Sequence, residues 1–236
     1  NQVTMSDSAQ LFEELTAFCQ SDSLSEIGLR EIIERHNWTP NWEIIERHDA
    51  PDNDDPSNND DHAFFVEVCQ NEKVTEGILR YLLENFPNAA IHQDNSRRPS
   101  LLHIILYGNK DVTLGMVQLL IDALPNIRHQ SFIKSLCRNK NLGEEIGLEI
   151  LKLLIERFSE SIRRAGGFGL PIHDAAMKQT PEFCRLLIDA YPGSERMTIT
   201  RAGGLPFHLA CSNNTVATAK YLYELYPESI NLASAN

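Results

Sequence analysis

The 236-residue sequence lacks several features that mark common classes of protein. It has no uninterrupted apolar run of roughly 18 residues, so we expect no membrane insertion. Its N-terminus has no basic stretch followed by an apolar one, so we expect no signal peptide. Five cysteines without close pairs do not suit a disulfide framework or a zinc site. These absences favour an intracellular protein in a reducing compartment, whether cytoplasm or nucleus.

The chain also lacks an excess of positive charge: 33 acidic residues outnumber 21 basic ones, and the formal net charge is −12. Phosphate binding needs a cationic surface, so nucleic acid is not an expected partner. The charge is uneven: residues 1–99 hold 20 acidic and 7 basic residues, whereas residues 100–236 hold 13 and 14. The acidic N-terminal part therefore favours a basic partner.

The chain contains an internal repeat. Residues 170–192 begin Leu-Pro-Ile-His and end Tyr-Pro, and residues 205–227 begin Leu-Pro-Phe-His and end Tyr-Pro. Residues 11–36 and 61–86 also align without a gap. Apolar or small residues stand three, four and seven positions before one closing residue in each of six units, as on one helix face. The six closing residues are His36, Phe86, Leu124, Phe158, Tyr191 and Tyr226.

Each unit also has a shorter apolar segment upstream of this helix. Pro171 and Pro206 stand where such a first helix would begin, which suits a residue that has a fixed φ and no amide donor. The sequence therefore predicts an all-α fold, an α-solenoid of about six helix-turn-helix repeats with protruding inter-repeat loops. We expect a single domain over 1–236, with an acidic loop insertion at 49–61 and repeats at about 8–37, 61–88, 99–125, 130–159, 169–192 and 204–227.

The Leu-Pro-Ile-His-Asp-Ala-Ala run at 170–176 and the Leu-Pro-Phe-His-Leu-Ala-Cys run at 205–211 resemble the Thr-Pro-Leu-His-x-Ala signature of ankyrin repeats. Ser-Leu-Leu-His at 100–103 is a weaker copy. The chain departs from that family where Leu170 and Leu205 replace the signature threonine. The resemblance implies stacked helix pairs whose loops and short first helices form a concave, protein-binding face. A solenoid of the TPR class is the alternative fold.

Three histidines share one position of the repeat, namely His103, His173 and His208. Because they should lie one repeat apart, they cannot converge on one metal ion. We expect each histidine to tie its loop to the next by hydrogen bonds, as part of a structural motif that includes Pro171 and Pro206.

The cysteines do not predict catalysis either. Four share one repeat position and one falls on the stripe of a second helix, so all should be small, inert core residues. They are Cys19, Cys69, Cys137 and Cys211 at the shared position, and Cys184 on the stripe.

Two loops resemble known binding motifs, but each lacks residues that the motif requires. Residues 166–169, Gly-Gly-Phe-Gly, lack the Lys-Ser/Thr of a phosphate loop and predict a turn with glycine at positive φ. The acidic loop begins like an EF-hand at Asp52, but Pro56 occupies a ligand position. We therefore expect no cofactor, no metal site and no enzymatic activity.

Loop tips and first helices supply the candidate partner-binding residues. They are Arg164, Phe168, Asp174, Arg201 and Leu209. Trp38 and Trp42 flank a proline after the first repeat, and they either cap the array or anchor a partner.

These patterns favour a noncatalytic scaffold or adaptor that binds another protein. The alternative is a regulatory ankyrin region of a larger enzyme or channel. That alternative is based on a chain that starts without Met and on Leu222 and Tyr223 in the last repeat, which we expect to need cover.

Overall fold

The computed structural model describes residues 5–38, 63–87, 100–123, 131–166, 169–198 and 204–232. Within these ranges the chain is all-α, with twelve α-helices and no β-strand. It divides into two compact units. The first comprises Asn1–Ile105 and Gly115–Ile127, and the second comprises Leu106–Leu114 and Arg128–Asn236.

The first unit contains α1 (Met5–Gln20), α2 (Glu26–Arg35), α3 (Ala63–Gln70) and α4 (Glu76–Asn85). Two further helices lie across the division between the units. The first unit includes α5 (Leu101–Gly108) up to Ile105, and α6 (Leu114–Ala123) from Gly115. Helix α1 packs against α3, and α2 packs against α4, so equivalent helices are neighbours.

Hydroxyl caps start the second helices of this unit. Ser25 accepts a hydrogen bond from the Gly28 amide, and Thr75 accepts one from the Ile78 amide, both at 3.2 Å. Each cap satisfies one of the free amide donors at a helix N-terminus. A hydroxyl side chain at the same repeat position therefore begins both helices.

The second unit contains three helix pairs. They are α7 (Phe132–Arg138) with α8 (Glu144–Arg157), α9 (Pro171–Ala176) with α10 (Pro181–Ala190), and α11 (Pro206–Asn213) with α12 (Val216–Leu225). First helices pack in the order α7, α9, α11, and second helices pack in the order α8, α10, α12. Short 3-10 segments follow the second helices at Ser159–Arg163, Ser194–Arg196 and Pro227–Asn231. This arrangement is a helical repeat-like fold.

The predicted ends of the second helices are confirmed where the chain is described, and so is the burial of one residue on the face of each. Five closing residues are the C-caps of α2, α4, α8, α10 and α12, namely His36, Phe86, Phe158, Tyr191 and Tyr226. The sixth, Leu124, lies outside the described residues. All six positions four residues earlier are buried, and these are Ile32, Leu82, Leu120, Leu154, Leu187 and Leu222. Of the two residues that the sequence suggested would need cover, Leu222 is therefore buried, whereas Tyr223 is 39% exposed.

Candidate functional site

His173 connects the start of its helix pair to the segment that follows the pair. Its Nδ1 accepts a hydrogen bond from the Leu170 amide at 3.1 Å, and its Nε2 lies 2.8 Å from the Met197 carbonyl oxygen. Because Nδ1 accepts, Nε2 must carry the proton and donate to Met197. The neutral imidazole thus satisfies two backbone groups, and burial lowers the pKa of His173.

His208 repeats this arrangement. The Leu205 amide donates to its Nδ1 at 3.2 Å, and its Nε2 lies 2.9 Å from the Ser229 carbonyl oxygen. In the weaker copy, His103 Nδ1 lies 3.0 Å from Ser100 Oγ. The expected structural role is confirmed for His173 and His208, and Pro171 and Pro206 begin α9 and α11 as predicted.

Lys134 takes the histidine position in the fourth repeat. It stands three residues before Cys137, as His208 stands three before Cys211. Its Nζ donates to the Gly169 carbonyl at 2.6 Å, in the loop that leads to the next pair. An ammonium ion has therefore replaced the neutral imidazole at a buried position.

The charge of Lys134 is matched by Asp174. Asp174 Oδ2 lies 3.4 Å from Lys134 Nζ, and Oδ1 accepts from Arg138 Nε at 2.9 Å. The Asp174 side chain is only 2% exposed, so it cannot be the partner contact that the sequence suggested. Its carboxylate is used inside the protein, because a buried cation needs a counter-ion.

The Gly169 carbonyl belongs to the base of a hairpin. The Gly166 amide donates to the Gly169 oxygen at 3.0 Å, and the Gly169 amide donates to the Gly166 oxygen at 2.9 Å. Gly169 has φ +89°, which confirms a turn glycine at positive φ. A Cβ at Gly166 would lie 2.8 Å from Lys134 Nζ, so glycine leaves room for the ammonium group there.

A second repeated contact is a carboxamide that follows the first helix, and sequence reasoning missed it. Asn139 Nδ2 donates to the carbonyls of Leu106 and Asn109 at 3.0 and 2.8 Å. Asn214 Nδ2 donates to the carbonyls of Ala176 and Gln179 at 2.9 and 2.8 Å. Gln179 and Asn71 make the same kind of double contact with the preceding pair. The signal was an Asn or Gln two or three residues after the shared cysteine position.

The remaining predicted contact residues have different surroundings. Leu209 is half-buried on α11 and packs against a small core of Ala176, Ala210 and Leu222. Arg164 is half-buried, between the 3-10 segment and the hairpin base. Three predicted contacts lie outside the described residues, namely Phe168, Arg201 and Trp42.

Trp38 belongs to an aromatic cluster of the first unit. Its ring centroid lies 5.7 Å from that of Phe12 and 5.3 Å from that of Phe86, and Phe64 packs against both phenylalanines. These contacts join residues of the first two helix pairs. They favour the capping role over the partner-anchor role for this tryptophan.

The cysteine prediction was right for four residues and wrong for one. Cys19, Cys69, Cys137 and Cys184 are buried, whereas Cys211 is exposed. The equivalent of Cys211 in the preceding repeat is Ala176, which the next pair covers. No further pair follows Cys211 within the described residues.

The buried thiols are poor nucleophiles. Burial raises the pKa of Cys19 and of Cys184 to about 12, so both stay protonated near neutral pH. Among the residues that the structure covers, no group of His, Cys, Asp and Glu is placed to hold a metal ion. In the same part of the chain, no helix combines the length and the apolar character needed to cross a membrane.

The side of the second unit formed by first helices and the turns after them is here called the first-helix face. Lys140 and Lys178 are exposed there, Arg138 is partly exposed, and Lys178 Nζ lies 3.4 Å from the Arg138 carbonyl oxygen. Leu209 is also on this face. Sequence reasoning missed these cations, because nothing in their local spacing indicates that two turns lie side by side.

Comparisons with protein-family models, with curated proteins and with solved structures gave no match to this chain.

Proposed function

We propose that the chain is a noncatalytic scaffold of the ankyrin type, an α-solenoid that binds another protein through its first-helix face and inter-repeat loops. The observation that carries this proposal is the repeated use of polar side chains to join helix pairs. His173, His208 and Lys134 reach the following loop, and Asn139 and Asn214 reach the preceding turn.

Such contacts use the polar groups of the repeat for stacking. A histidine that donates to one backbone group and accepts from another has no nitrogen left for general-base catalysis. A stack of short helix pairs also presents a long surface, which suits recognition of a protein. Both points support binding over chemistry.

The proposed contacts are Lys178 and Leu209 on the first-helix face, and Arg164 in the inter-repeat loop that precedes α9. The exposed cations there complement an acidic segment of a partner. For the N-terminal part, the excess of acidic residues over 1–99 still predicts a basic partner. Phe168 and Arg201 remain predicted contacts at loop tips.

The test is a comparison of interaction partners between the wild-type chain and two matched variants. The face variant carries Arg164→Ala, Lys178→Ala and Leu209→Ala, and the control variant carries Lys152→Ala and Lys220→Ala on second helices. Proteins recovered by affinity purification are identified by mass spectrometry, and the binding of the strongest one is measured with purified components.

We expect the face variant to weaken that binding by at least about tenfold, or 1.4 kcal/mol, and the control to bind as wild type. Thermal unfolding of all three proteins serves to check that the fold is retained. Equal binding by the folded face variant would show that the first-helix face is not the binding surface.

A further inference from the structure

In the earlier helix pairs, certain repeat positions pack against the next pair. In the last described pair, the equivalent residues are exposed. Ala176 and Ile188 of the α9–α10 pair pack against Ala210 and Leu222 of the next pair. Their equivalents, 35 residues later, are Cys211, which is exposed, and Tyr223, which is 39% exposed. The surface that contains Cys211 and Tyr223 is here called the outer face of α11 and α12.

A third equivalent position shows the same difference. Ile162 stands four residues after the closing residue Phe158, and Ile230 stands four residues after the closing residue Tyr226. Ile162 is 4% exposed and is followed by another pair, whereas Ile230 is 62% exposed. The outer face is therefore continuous in register with an established pair-to-pair interface.

The interface between the α9–α10 pair and the α11–α12 pair indicates which side chains would fit the outer face. Ala176 and Gln179 offer carbonyl oxygens to the Asn214 carboxamide, and small and leucine side chains fill the space between the pairs. The equivalent backbone groups on the outer face are those of Cys211 and Asn214. An occupant needs a small residue on its first helix, a leucine on its second and a carboxamide between them.

We propose that the outer face of α11 and α12 binds a second protein that presents a helix pair of this same repeat type. A second copy of the chain fits less well. Four of its own carboxamides already donate to carbonyls, and Ser21 takes the carboxamide position in the first pair, where its Oγ donates to Phe18. The residues of this surface differ from the proposed contacts on the first-helix face, so the two proposals can fail independently.

The face can be tested with a probe made from the chain itself. The probe is the full chain in which residues 198–232 are repeated once after Leu232, with Cys211→Ser in the added copy. The matched control carries Asn214→Ala and Leu222→Asp in that added copy. The readout is the reaction rate of the original Cys211 with a thiol reagent, since the other four cysteines are buried.

Docking of the added pair should slow this reaction at least about tenfold relative to the control, which corresponds to about 1.4 kcal/mol. Helix content by circular dichroism should rise only in the probe. An unchanged rate, or an added pair that stays unfolded, would show that the face does not accept this repeat.

The source of the natural occupant is tested on the unmodified chain. Light scattering during size-exclusion chromatography should give the monomer mass of 26.7 kDa at all concentrations. A dimer that Tyr223→Glu converts to a monomer would assign the outer face to a second copy and overturn the proposal.

Discussion

The pairing of Lys134 with Asp174 gives the most specific prediction. In the next repeat, the equivalent residues are His173 and Leu209, which carry no charge when the histidine is neutral. Exchanging both residues, Lys134→His with Asp174→Leu, should therefore recreate the neutral arrangement. Asp174→Leu alone should leave the buried Lys134 ammonium without the counter-ion that Asp174 provides, whereas Lys134→His alone leaves the Asp174 carboxylate paired with Arg138.

The expected magnitudes follow from the burial of the pair. Lys134 and Asp174 side chains are 6% and 2% exposed, so solvent cannot replace a lost partner. Asp174→Leu alone should cost about 3–5 kcal/mol, the usual result of removing one member of a buried ion pair. Lys134→His alone should cost about 2 kcal/mol, because Arg138 still binds the carboxylate.

The double variant should be within about 1–2 kcal/mol of wild type, since Arg138 is partly exposed and remains hydrated without the aspartate. The free energy of unfolding is measured by urea denaturation, followed by far-ultraviolet circular dichroism. Tryptophan fluorescence does not suit this unit, because both tryptophans precede residue 43. Hydrogen exchange over residues 163–176 reports on the hairpin base directly.

The double-mutant cycle isolates the interaction between the two residues. The values above correspond to a coupling energy of about 3–6 kcal/mol, at or above the upper end for residues in contact. If the changes in unfolding free energy of the two single variants simply add, the Lys134–Asp174 ion pair does not replace the histidine contact of the next repeat. A double variant less stable than Asp174→Leu alone would refute the equivalence of the two repeats.

Three further predictions concern other contacts. Burial lowers the pKa of His173 below its unfolded value of about 6.5. The stability that the neutral imidazole contributes should therefore be full above about pH 6.5 and lost as the pH falls through the folded pKa. In urea titrations between about pH 7 and 5, His173→Gln should reduce this fall in the free energy of unfolding. Asn139→Ala should cost about 2 kcal/mol because two carbonyls lose their donor, whereas the exposed Asn141→Ala should change stability by less than about 0.5 kcal/mol. One thiol of five should react quickly in the native protein, and all five in urea; a second fast native thiol would contradict the burial of the other four.

The helices could be predicted because their signal is local. Each second helix carries apolar or small residues three, four and seven positions before its closing residue, and the one four positions before is buried in all six units. This spacing is visible in the sequence. The histidine role was predicted from equivalence alone, since three histidines one repeat apart cannot share a ligand. Position in a repeat therefore carried more information than residue chemistry.

The missed contacts depend on pairings that are distant in sequence. Lys134 lies in a short apolar segment, and its counter-ion comes 40 residues later. The carboxamides bind backbone carbonyls, so no partner side chain marks them, and both Asn and Gln serve. Cys211 was predicted to be buried from its repeat position, but burial also requires a following pair, which the described chain does not supply.

Equivalence of the helix pairs is tested most directly by removing one of them. Deletion of residues 171–205 joins Leu170 to Pro206, keeps the Leu-Pro-Phe-His start and places Leu209 beside Lys134. We predict that this shortened chain unfolds cooperatively in urea, monitored by circular dichroism, and that Lys134→His stabilises it by at least about 2 kcal/mol. A shortened chain without a cooperative transition, with or without Lys134→His, would contradict the repeat architecture on which the proposed function depends.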